Sequence, residues 1–204
     1  MSYIKEWLQE LWEDIHESCG ERSWPGRLVF WFLLVYIAFQ HLRDKDYYGL
    51  LGGLNLGIHE FGHLICGPLG QTIGILGGSV VQCLVPVISL FMFKRQRDYF
   101  AWSFSFVWLA ANLHGVALYI SDARVLQLEL VSPFGGDGET IHDWNWLLNH
   151  WDVLQYEQEI AQVVRVVAIV VSVIGVLWGA FTLWLMIKGG GKAEDERMKK
   201  ALPF

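Results

Sequence analysis

The chain has 204 residues, of which 53% are apolar and only 18% charged, with a formal net charge of −6. Soluble domains carry more charge, about a quarter of their residues, so this balance argues for a membrane domain. The acidic net charge argues against a nucleic-acid partner. Three scattered cysteines, Cys19, Cys66 and Cys83, form neither a disulfide framework nor a CxxC metal site.

Residues 3–17 are predicted as an amphipathic helix. Ile4, Trp7, Leu8, Leu11, Trp12 and Ile15 share one stripe at helical spacing, with acids opposite. The acids also rule out a cleavable signal, which needs a basic start and an apolar core. Two tryptophans on the apolar stripe suit a helix lying in the membrane interface, and packing on a partner protein fits equally well. Ser23-Trp24-Pro25-Gly26 then breaks the helix.

Five apolar runs follow, each near the roughly 20 residues that cross a bilayer. They cover about 27–42, 47–66, 72–93, 99–120 and 163–187. The fold class is therefore all-α, a polytopic helix bundle of about five spans. Residues 122–160 form the longest stretch outside the spans. Pro133-Phe134-Gly135-Gly136-Asp137-Gly138 reads as a turn-rich loop. Ile141, Trp144, Leu147, Leu148, Trp151 and Leu154 recur at helical spacing, which predicts a second interfacial helix. Residues 189–204 are a polar tail, expected to be disordered. Five spans put the termini on opposite sides. Ten Lys and Arg then fall on the side of the C-terminus and five on the other, which predicts an extracytoplasmic N-terminus and a cytoplasmic C-terminus.

The chemistry is concentrated in Asn55-Leu56-Gly57-Ile58-His59-Glu60-Phe61-Gly62-His63-Leu64-Ile65. On a helix, His59 and His63 stand one turn apart on one side and can hold a single metal ion. Glu60 is placed to take a proton from a zinc-bound water, whose pKa falls to about 7. Without a metal or a polar cavity, such a cluster is hard to tolerate in a span. Insertion scales charge about 2.5–3.5 kcal/mol for an ionised residue at mid-membrane. Packing histidines, bonded across helix contacts, are the plain alternative.

The segment Gly57–Ile65 resembles the zinc helix of site-2 proteases and the smaller peptidase M50B-like membrane proteins. That resemblance implies one zinc ion, Glu60 as general base, and cleavage of membrane-embedded peptide substrates. It also implies a third ligand, an Asp in a Leu-Asp-Gly pattern on a later span, which this chain lacks. The nearest counterparts are Asn112 and Asp122, and Asp122 ranks first because a carboxylate also balances charge.

Two histidines remain as alternatives. At 1.5 Å per residue, His63 lies about 7 Å, His59 about 13 Å and His114 about 9 Å below the same surface. His142 can fold back from the loop. Asp143, its neighbour, reads as the N-cap of the interfacial helix. Two functions stay open: a zinc hydrolase of the metallopeptidase type, with lipid bilayer and embedded peptide as its surroundings, or a non-catalytic subunit packed against partner membrane proteins. A transporter or haem binder has no positive support.

Overall fold

In the computed structural model, residues 2–128 and 141–201 are described. Among the described residues seven α-helices follow one another: α1 (Ser2–Gly20), α2 (Pro25–Arg43), α3 (Gly52–Cys66), α4 (Gln71–Arg95), α5 (Ala101–Ser121), α6 (Asp143–His150) and α7 (Glu157–Ala201). Short 3-10 turns at Gly67–Leu69 and Leu154–Tyr156 precede α4 and α7. The expected all-α bundle is what forms. The turn-rich loop expected at 133–138 lies outside the described residues.

Among the described residues four helical stretches are long and apolar enough to cross a membrane: Pro25–Arg43, Gln71–Arg95, Ala101–Ser121 and Leu154–Gly190. The run at 47–66 differs from expectation. Gly49 adopts φ +78°, a left-handed conformation open to glycine, so the chain turns before the helix starts at Gly52. Fifteen residues give about 22 Å of helix, short of a hydrocarbon core of about 30 Å.

Side-chain contacts fix how the four long helices align. α2 runs parallel to α5, since Phe30 meets Phe100 and Phe104, and His41 meets His114. α4 is antiparallel to α5: Gln82 reaches the carbonyl of Asn112, and Ser89 bonds Ser105. α7 is antiparallel as well, with Gly179 against Ser103 and Gly175 against Phe106. The end of α2 and the start of α4 therefore share one end of the bundle. The segment between them, α3 included, leaves that end and returns to it.

At the opposite end, Arg22 and Arg27 both bond the carboxylate of Asp98, at 2.9 and 3.0 Å. Arg97 pairs with Asp14 and Glu17. α1 thus lies beside the α4–α5 connection, and its Ile15 and Cys19 are buried with Tyr99 and Met186. Gly20 approaches Gly189 backbone to backbone, so a Cβ on Gly189 would stand 2.4 Å from the Gly20 Cα. Gly20 and Gly189 therefore lie at one end of the bundle, the end to which an even number of crossings would return the chain.

The helix predicted in the loop forms as α6, over Asp143–His150. α6 buries Leu147 and Leu148 against the bundle, and Trp144 donates to Ser79 of α4 (3.1 Å). The tail expected to be disordered continues α7 through the glycines to Ala201. Its sequence explains this, since Lys192-Ala193-Glu194-Asp195-Glu196-Arg197-Met198-Lys199-Lys200-Ala201 is rich in helix formers with opposite charges at helical spacing.

Candidate metal centre

α3 packs on α4 through glycine. A Cβ on Gly62 would meet the Gly77 carbonyl oxygen at 2.4 Å, and one on Gly77 would meet the Cys66 Cβ at 2.4 Å. In lipid, helices gain little from hydrophobic burial of one against another, so close backbone approach supplies the packing. That approach sets His59 and His63 directly over Gly78. A Cβ there would lie 2.6 Å from the Nε2 atoms of both histidines. The missing side chain leaves open the space that both nitrogens face.

Each imidazole is pinned from behind. His63 Nδ1–H donates to the Gly74 carbonyl (2.9 Å), an acceptor only, so the proton sits on Nδ1. His59 Nδ1–H donates to Gln82 Oε1 (2.9 Å), while the Gln82 amide N–H points to the Asn112 carbonyl (3.4 Å). Both Nε2 atoms therefore face the open space. This is the arrangement in which metal-binding histidines have their free N–H fixed by an outer acceptor.

A third acceptor closes the site. Asp143 Oδ2 lies 2.9 Å from His59 Nε2 and 3.1 Å from His63 Nε2. Burial alone would push this carboxyl up, but the hydrogen bonds to His59 and His63 outweigh it and hold the pKa below the usual carboxylate value. Two Nε2 atoms and a carboxylate oxygen at these distances need positive charge among them: a proton on Nε2 that hydrogen-bonds Asp143, or a metal ion bound by both nitrogens and the carboxylate. Tetrahedral zinc with bonds of about 2.0–2.1 Å separates its ligand atoms by about 3.3 Å. The donor set and its spacing fit zinc after outward shifts of a few tenths of an ångström. Glu60 completes the cluster: ligand atoms of His59, Glu60 and His63 lie within 4.8 Å of one another.

The residues predicted as third ligands are placed elsewhere. Asp122 closes a turn, with its carboxylate accepting the N–H groups of Gln127 (2.9 Å) and Leu128 (3.0 Å), and faces His142 at 3.4 Å. His114 stacks on His41, rings parallel with centroids 5.0 Å apart, on the face of α5 turned to α2. His142 is the N-cap of α6, its Nδ1 accepting from the Asn145 N–H (3.1 Å).

The roles read for two neighbours are thus exchanged: His142 caps and Asp143 meets the histidines. The charge-balance argument that favoured Asp122 applies equally to Asp143. An apolar cavity of about 390 Å³, lined by Leu76, Val80, Cys83, Val87, Leu109 and Trp144, does not open on this site. At 100° per residue, Leu76, Val80 and Val87 lie on the face of α4 opposite Gly74, Gly78 and Gln82.

Compared with protein families, with curated proteins and with solved structures, the chain matches none.

Proposed function

We propose that this chain is a membrane-embedded zinc hydrolase of the metallopeptidase type, in which His59, His63 and Asp143 hold the ion and Glu60 is the general base. One observation carries the reading. Two imidazole Nε2 atoms from α3 and one carboxylate oxygen from α6 converge at about 3 Å, with both Nδ1 atoms engaged behind them. Bound zinc supplies a Lewis acid for a carbonyl oxygen and lowers the pKa of a water molecule towards neutrality. Glu60, one position from His59 and partly exposed, takes the proton of the attacking water and returns it to the leaving nitrogen.

The exposed side of α3 supports access from the bilayer. Gly53 and Gly57 stand on the flank of Glu60, and a Cβ on either would meet nothing within 4 Å. An embedded peptide can approach the carboxylate along that strip with little steric cost. The distribution of Lys and Arg orients the bundle. Eleven of the fifteen belong to the end that holds both termini, and Arg43, Lys45, Arg124 and Arg165 belong to the other part. By the positive-inside tendency the termini are cytoplasmic, and the metal centre lies towards the extracytoplasmic face.

The test is metal content of the purified chain beside His59→Ala and His63→Ala, followed by turnover of Glu60→Gln. About one zinc per chain, lost in both histidine variants, supports the site. Glu60→Gln should then keep metal and lose turnover. Loss of neither, with stoichiometric co-purifying partners, would favour a non-catalytic subunit. A folded wild type without metal would sink the hydrolase reading.

A further inference from the structure

Asp143 is the first residue of an eight-residue helix, and helix ends fray unless something holds them. The last turn of α5 supplies the hold. The Tyr119 hydroxyl accepts the backbone N–H of Asp143 (3.1 Å). The same ring packs on His142, centroids 4.2 Å apart, and meets the ring of His59 at 6.0 Å in an edge-on contact. One side chain of α5 therefore touches both the helix that carries the histidines and the helix that carries the carboxylate.

His142 holds the same end from the other side. Its Nδ1 accepts the Asn145 N–H, so its own proton is on Nε2, the atom that faces Asp122 Oδ2 at 3.4 Å. Asp122 is itself fixed by the N–H groups of Gln127 and Leu128. The cap thus faces a carboxylate three residues, or one helical turn, beyond Tyr119. Two further bonds keep α6 in place without touching the histidines: Asn145 Nδ2–H to the Ala123 carbonyl (2.7 Å) and Trp144 to Ser79. Losing one contact at Asp143 should therefore shift the carboxylate without releasing the helix.

We infer that Tyr119 and His142 are positioning residues for the metal centre, Tyr119 by holding the Asp143 backbone and His142 by capping its helix. The inference rests on the metal-site reading above. It assigns Tyr119 and His142, through Asp143, a part of the metal affinity that none of the three predicted third ligands supplies by direct contact. Outer-shell partners of this kind change metal affinity by about 10–100-fold.

The experiment compares wild type, Tyr119→Phe, His142→Ala and His142→Asn, each as the full chain in detergent. Zinc affinity is read by chelator competition, coordination geometry by the visible absorption of the cobalt-substituted chain, and folding by thermal unfolding without metal. Tyr119→Phe and His142→Ala should weaken zinc by about 10–100-fold and displace the cobalt bands, while still unfolding cooperatively and losing only a few degrees of melting temperature, about what one cap or hydrogen bond accounts for. His142→Asn restores a good cap and should bring affinity back close to wild type. If Tyr119→Phe and His142→Ala bind zinc as tightly as wild type with unchanged bands, the inference is overturned and the metal site stands. Should Tyr119→Phe fail to fold, equal affinities for His142→Ala and His142→Asn would overturn it. A wild type that takes up no zinc overturns the inference together with the function it rests on.

Discussion

The Asp143 carboxylate and the His59 imidazole are 84 positions apart in the chain and 2.9 Å apart in the fold. No local pattern joins them. α6 is set down on α4 and on the end of α5, and that docking converts a pair of histidines into a three-cornered cluster.

Replacing Asp143 by Ala should therefore remove zinc binding far more severely than replacing Asp122 by Ala. The first change deletes a ligand, and the second only loosens the cap on His142, an effect of about 10–100-fold at most. Metal titration of the two variants side by side checks the order. Equal losses, or a larger loss for Asp122→Ala, would refute the assignment.

Glycine at 78 should be as necessary as the histidines. Its Cβ would stand 2.6 Å from both Nε2 atoms, so Gly78→Ala should abolish metal uptake and cost about 1–3 kcal/mol through overpacking. Gly53→Ala, where a Cβ meets open space, should change neither metal content nor melting temperature. Metal analysis and thermal unfolding of both variants provide the test.

The arrangement of crossings can be read by labelling single cysteines in a cysteine-free background. Ser23→Cys and Gln96→Cys should label from one side of the membrane, because Arg22 binds both Asp98 and the Gln96 carbonyl. Asp44→Cys and Gln127→Cys should label from the other. A chain with five crossings would put Ser23 and Gln96 on opposite sides, and that result would reject the present topology.

Cys19 yields a pH-dependent prediction. Burial, with the Asp98 charge adding to it, pushes its thiol up to about 11 from an ordinary value near 9. Below pH 9 the thiol is protonated whether folded or not, and the stabilisation is fully present. As pH rises through 11 the unfolded chain has already ionised, so that contribution is lost. Maleimide at pH 8 should modify Cys66, which is partly exposed, well before Cys19, with mass spectrometry of the adducts as the readout. Equal rates in the folded protein would contradict the packing of α1.

Relations within one turn of helix were legible in the residues. His59, Glu60 and His63 come together because four positions are one turn, whatever else the chain does. The long apolar runs and the Trp24-Pro25-Gly26 break likewise marked α2, α4, α5 and α7, since length and apolarity suffice for a span. The short run at 47–66 was misleading because hydropathy does not register the left-handed turn at Gly49.

The sequence by itself determined an all-α membrane bundle and the two-histidine face with its adjacent glutamate, because helical periodicity and bilayer thickness act locally. Tertiary structure alone decided that α3 leaves and re-enters one end of the bundle, that Gly78 leaves space before both imidazoles, and that Asp143 rather than Asp122, His142 or His114 meets them. His142 and Asp143 are adjacent, and which of them caps and which faces the site depends on where α6 docks. That docking is set by contacts to Tyr119, Ser79 and Ala123, each 20 or more residues from Asp143 in the chain, so no local spacing encodes it.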